Sequence, residues 1–139
     1  MTFDQVLQAG QQIDKVDRYL REGGDVNRRT ESGQSLLHLA ADDARIDLIC
    51  LLIAHGADIN ARGYHGYTPL HLAVDMECNT QARDCRRATE LPATQALIEA
   101  GADETVNDDD GDTARDIAVA YGLSEAALYD AIPRHQARK

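Results

Sequence analysis

Apolar residues along this chain fall into short blocks at helical spacing. In "IDLICLLIAHG", Ile46, Ile49, Leu52 and Ile53 step by three, three and one, which predicts one face of a helix. In "GYTPLHLAVD", Leu70, Leu72 and Ala73 predict a second buried stripe, with Ala73 small enough to let a neighbouring helix come close. The blocks carry start and stop signals. Ser35 and Thr68 are placed to accept from the free amides of a helix start. Pro69 suits the first helical turn, where its missing N–H costs nothing. Gly56 suits the left-handed position after a helix end. Thr2 and Gln5 have the spacing of a capping box. Cys50, inside the first apolar run, reads as a small buried hydrophobe.

The blocks repeat. "GGDVN" at 23–27 recurs as "GADIN" at 56–60, and "SGQSLLHLAAD" at 32–42 recurs as "HGYTPLHLAVD" at 65–75, both at a spacing of 33. "GADET" at 101–105 and "DGDTARDIAVA" at 110–120 then follow at a spacing of 45. The difference predicts a 12-residue insertion, Glu77 to Ala88, between the two helices of one unit.

With "GYTPLHLAV" and "LLIAHGADIN" on the page, the chain resembles the ankyrin repeats: the first string follows their Gly-x-Thr-Pro-Leu-His-x-Ala signature, the second their helix end and Gly-Ala-Asp hairpin entry. The resemblance implies an all-α solenoid of about four stacked helix-turn-helix units with projecting turns, spanning 1–27, 28–60, 61–105 with its 77–88 insertion, and 106–132. A basic tail, 133–139, follows Pro133, which is expected to stop the last helix. The first unit lacks a Thr-Pro-Leu-His element, and Ala44 stands where the family has glycine, so either Asp43 takes the left-handed role or the turn differs. Polar residues in the first helix pair, and Arg115 where the central units have Leu37 and Leu70, suit exposed ends of a stack, as expected of a complete small protein.

Composition narrows the function. A net charge of −10 disfavours a nucleic-acid backbone and an anionic membrane, and leaves basic proteins as partners; its bland meaning is solubility. The start of the chain has no basic, apolar leader and no run approaches a membrane span, so the cytoplasm is the expected compartment and a monomer the expected state.

Candidate chemistry is sparse. His38 and His71 occupy equivalent positions, and in the family such a histidine ties down the helix-start turn. His55 reads as a dipole partner at a helix end. "NDDDGD" at 107–112 fails the calcium-loop pattern, because placing Gly111 correctly puts Val106 first and Ile117 last. Cys78 and Cys85, six residues apart, lack the second pair of a zinc site; a thiol-based redox or metal sensor is the alternative function they allow. No nucleophile–base order or phosphate-cradling loop is present, so no enzyme activity and no cofactor are expected.

The resemblance implies protein binding by the concave face and turn tips. The corresponding positions are Asp42 and Asp43 in one unit, Arg62, Tyr64, His65, Tyr67, Asp75 and Met76 in the next, and Asp108, Asp109, Asp110 and Asp112 in the last. Tyr64 and Tyr67 stand out, since tyrosine is not needed by the repeat and is a favoured interface anchor. The insertion carries Arg83, Arg86 and Arg87, a basic run on an acidic molecule and so a candidate second contact or an internal latch. A dedicated, basic partner held by an inhibitor, immunity or accessory protein is the expected biology.

Overall fold

The computed structural model describes residues 2–8, 10, 12–80 and 92–120. Seven α-helices appear among them: α1 Phe3–Gln8, α2 Ile13–Arg21, α3 Leu36–Asp42, α4 Ile46–Ala54, α5 Pro69–Thr80, α6 Pro92–Glu99 and α7 Ala114–Ala120. They stack in two layers. The first helices α3, α5 and α7 pack in sequence, and the second helices α2, α4 and α6 pack behind them. No sheet forms among the described residues; an isolated bridge, Arg29 to Ser35, closes one projecting turn. Of the four units, 121–132 and the tail 133–139 lie outside the described residues, as does Pro133.

The core runs continuously from Phe3 and Val6, through Leu36, Leu37, Leu48, Ile49 and Leu52, to Leu70, Val74, Leu97, Ile98 and Ala118. In α4 the buried stripe is Leu48, Ile49 and Leu52: Ile49 and Leu52 are as read from spacing, but Leu48 joins them, Ile53 is partly buried and Ile46 is 38% exposed. Cys50 is exposed as well. It lies four residues after Ile46 and shares that outward face, so the expectation of a buried thiol is corrected by helix register.

The start signals work as the sequence suggests. Thr2 and Gln5 cap α1 reciprocally, Gln5 N donating to Thr2 Oγ1 at 3.2 Å and Thr2 N to Gln5 Oε1 at 2.8 Å. The stops share one geometry. At α4, Gly56 N donates to Ile53 O and Ala57 N to Leu52 O, the paired bonds of a Schellman motif; Gly23 and Gly101 occupy the same place after α2 and α6. After α3 the same pair forms, Ala44 N to Ala41 O and Arg45 N to Ala40 O, but the left-handed residue is Ala44, with φ of 52°. So Asp43 does not take the role, and the turn does not differ; alanine is forced into it. The left-handed form costs an L-residue roughly 1–2 kcal/mol, and glycine's extra freedom when unfolded offsets part of the relief. Ala44→Gly is therefore expected to stabilise the protein by about 0.5–1 kcal/mol, read as a raised urea midpoint with unchanged slope. An unchanged or lowered midpoint would show that no strain is held there.

Neighbouring units are joined by a polar ladder. Asp58 N donates to Asn27 Oδ1 at 2.7 Å, and Asp103 N to Asn60 Oδ1 at 2.7 Å. Within each unit the Asp carboxylate folds its own turn: Asp25 accepts from Asn27 N, Asp58 from Asn60 N and Asp103 from Thr105 N. The recurring Gly-x-Asp-x-Asn string is thus a stacking device.

Candidate interaction face

The projecting turns are held by histidine. Ser35 N donates to His38 Nδ1 at 3.1 Å, and Thr68 N to His71 Nδ1 at 3.2 Å. A backbone N–H only donates, so each Nδ1 is unprotonated and each Nε2 carries the hydrogen. That hydrogen goes to the next unit: His38 Nε2 to Tyr67 O and His71 Nε2 to Asp112 O, both at 2.9 Å. Burial is the main cause holding the His38 pKa below its usual value, in keeping with a neutral ring between two donors and an acceptor. Both histidines are structural, as the resemblance implies. In the last unit Asp116 replaces them, accepting from Thr113 N at 2.9 Å.

The tip of the third unit, a 3-10 turn at Tyr64–Gly66, brings the expected aromatic residues together. Tyr64 and His65 ring centroids lie 4.0 Å apart, His65 and Tyr67 6.0 Å, and Tyr67 and His71 5.9 Å. The run leads from Tyr64, 55% exposed, to a buried histidine. His65 sits at φ 54°, held by Asp109 N donating to its carbonyl at 3.0 Å. Arg62 reaches from the same tip to Asp109, Nη2 to Oδ1 at 3.1 Å. Arg62 and Asp109, expected to face a partner, are therefore also ties between adjacent tips, though both stay half-exposed or more.

Acidic residues gather at the end of α3 and along α5. Asp42, Asp43 and Asp75 are close enough that burial, then the charges of Asp43 and Asp75, raise the Asp42 pKa. Between the third and fourth units a cleft of about 110 Å³ is lined by Tyr67, Leu72, Ile117 and the aspartates 75, 108, 110 and 112. Desolvation first, then these four carboxylates, push the Tyr67 phenol up. Asp108 departs from expectation. It is 5% exposed, and its Oδ1 accepts from Asp110 N and Asp112 N, each at 2.9 Å. Its carboxylate builds the turn. Met76 is half-buried at the edge of this face. Gln34, in the Tyr67 register one unit earlier, has a buried Oε1 with no hydrogen-bond partner among the described residues.

Arg115 does not stand open as a bare charge. It pairs with Glu104 at 3.1 Å, both side chains 27% exposed.

One residue was missed altogether. Glu77, read as the start of the insertion, lies in α5 and is 4% exposed. Its Oε2 accepts from Ala93 N at 2.8 Å; its Oε1 accepts from Thr94 N at 2.9 Å and Thr94 Oγ1 at 2.7 Å. The α6 start is thereby capped from α5, and the helix absorbs the first four residues of the insertion. Arg83, Arg86, Arg87 and Cys85 lie outside the described residues, as does the Cys78 side chain. Among the described residues, no group of His, Cys, Asp and Glu could hold a metal ion, and no helix is long and apolar enough to cross a membrane.

A family model for ankyrin repeats, in three copies, matches residues 5–87. The chain belongs to the ankyrin-repeat family. The match stops inside the insertion, where the register breaks. A search of curated proteins finds no match. Ankyrin repeats are generally protein–protein interaction modules and typically non-catalytic.

Proposed function

We propose that this protein binds one dedicated, basic protein partner through the tip and concave face centred on Tyr64 and Tyr67, as an inhibitor, immunity or accessory protein would, and that it does so as a monomer without catalysis. The observation that carries the reading is the aromatic run from exposed Tyr64 to Tyr67, leading into an acid-lined cleft. The turn below does not require either ring: the tip is fixed by backbone atoms of Gly63, His65 and Tyr67 and by the Arg62–Asp109 pair. Large aromatic side chains left outside a core are the usual anchors of interfaces. The charge of −10 supports a basic partner whose association slows as salt rises.

The test is affinity capture from native extract, with intact protein beside Tyr64→Ala/Tyr67→Ala, both checked for folding by circular dichroism. Loss of one captured protein with the double variant is expected, at a cost of ~2 kcal/mol or more per anchor. Undiminished capture by the folded variant would mean that the interface lies elsewhere.

A further inference from the structure

We propose that the cleft between the third and fourth units is a receptor for a single arginine side chain of the partner. This rests on the protein-binding reading and names the group that the cleft recognises.

Three features converge. The cleft, about 110 Å³ and open on one side, has room for the end of one side chain and not for a length of backbone. Its walls differ in kind. Tyr67 offers an aromatic face, Leu72 and Ile117 a half-buried aliphatic floor, and Asp75, Asp110 and Asp112 an exposed acidic rim. The carboxylates of Asp110 and Asp112 also make no hydrogen bond or ion pair among the described residues, unlike those of Asp108 and Asp109, which the turn uses. Two like charges on one turn repel, and an arriving cation relieves that repulsion.

Arginine fits this set better than lysine. Its planar guanidinium stacks on an aromatic ring and forks to two carboxylates at once, and its methylene stem covers aliphatic surface. A lysine ammonium would meet the rim as a point charge and leave the Tyr67 face under-used. The tip positions the cleft: His71 Nε2 binds Asp112 O, and Asp108 holds the amides of Asp110 and Asp112, so both free carboxylates stand on a fixed turn.

The experiment is titration of the full-length, ¹⁵N-labelled protein with the blocked tripeptide Gly-Arg-Gly, followed by amide chemical shifts. Gly-Lys-Gly and the neutral isostere Gly-citrulline-Gly are run in parallel. Saturable shifts are expected at Tyr67, Leu72, Asp75, Asp110, Asp112 and Ile117. Binding should be at least fivefold weaker for the citrulline peptide, and weaker for the lysine peptide than for arginine. Asp110→Asn/Asp112→Asn should lower arginine affinity at least fivefold and retain the fold, because neither carboxylate holds the turn. Equal binding of the citrulline peptide, equal binding by the double variant, or no saturable shift at these residues would overturn the proposal. Those results leave capture through Tyr64 and Tyr67 unaffected, so the two readings fail separately.

Discussion

Glu77→Ala is expected to destabilise the protein by about 3 kcal/mol, with a fall in Tm of roughly 10 °C. The carboxylate is almost fully buried and accepts three hydrogen bonds, two of them from the first free amides of α6. Such charge-assisted bonds contribute more than neutral ones, and removing the acceptor leaves buried donors without partners at roughly 1–3 kcal/mol each. The helix dipole adds to the loss, since the start of α6 then faces no negative charge. Glu77→Gln should cost about half as much. Its remaining oxygen serves Thr94, which makes two of the three bonds, while its amide nitrogen meets the Ala93 N–H as donor against donor. Chemical denaturation of the three proteins checks the order. Hydrogen exchange adds a local reading, because amides at Leu97 and Ile98 should lose protection in Glu77→Ala before those at Leu36 and Leu37. A loss below about 1 kcal/mol for Glu77→Ala would show that α6 is capped by another group.

That residue also explains how a repeat survives interruption. In units without an insertion, a short turn such as Asp43–Arg45 delivers the second helix directly, and its closing bonds are local. An insertion removes that constraint, and α6 packs on α4 and α5 without a short turn to place it. A carboxylate on the extended end of α5 replaces the lost turn with a tertiary tie. The chain between can then vary at small cost, because loop closure rises slowly with length.

Most of the architecture was readable because it is periodic. The steps of 33 and 45 place His38 and His71 under the next unit's turn, and the bonds to Tyr67 O and Asp112 O keep that register. The polar ladder carried the same signal, since Asn27 and Asn60 recur at a fixed step, but its partners lie in adjacent units and periodicity alone does not pair them. Three features had no periodic signal. Glu77 belongs to no repeat position, and its role depends on where α6 returns. Asp108 looks like its acidic neighbours, and only the folded turn separates a buried acceptor from exposed charges. Cys50 sits in an unbroken apolar run, where helix phase decides exposure and composition does not.

Gly66→Ala should separate the tip from the scaffold, at a cost of about 2–3 kcal/mol and a tenfold or greater loss of partner affinity. Gly66 is buried at φ 74°, where an L-side chain is strained. A methyl group there would lie 2.6 Å from Arg62 Nη2, 2.6 Å from Asp109 Oδ1 and 2.8 Å from Asp109 N. The third of these is backbone and cannot rotate away. Relief requires Asp109 to withdraw, which breaks its bond to His65 O and the Arg62 pair. Those ties hold His65 in its left-handed conformation, and His65 spaces the Tyr64 and Tyr67 rings. The proposed binding face therefore moves with them. Gly56→Ala is the control, because Gly56 has a similar φ of 87° but open space around it, so it should cost only about 1 kcal/mol and keep affinity. The comparison uses urea denaturation and capture of the same partner at one salt concentration. If the two variants lose stability equally, close approach at Gly66 is not what fixes the tip. If Gly66→Ala loses stability but binds as well as Gly56→Ala, the aromatic run does not carry the interface.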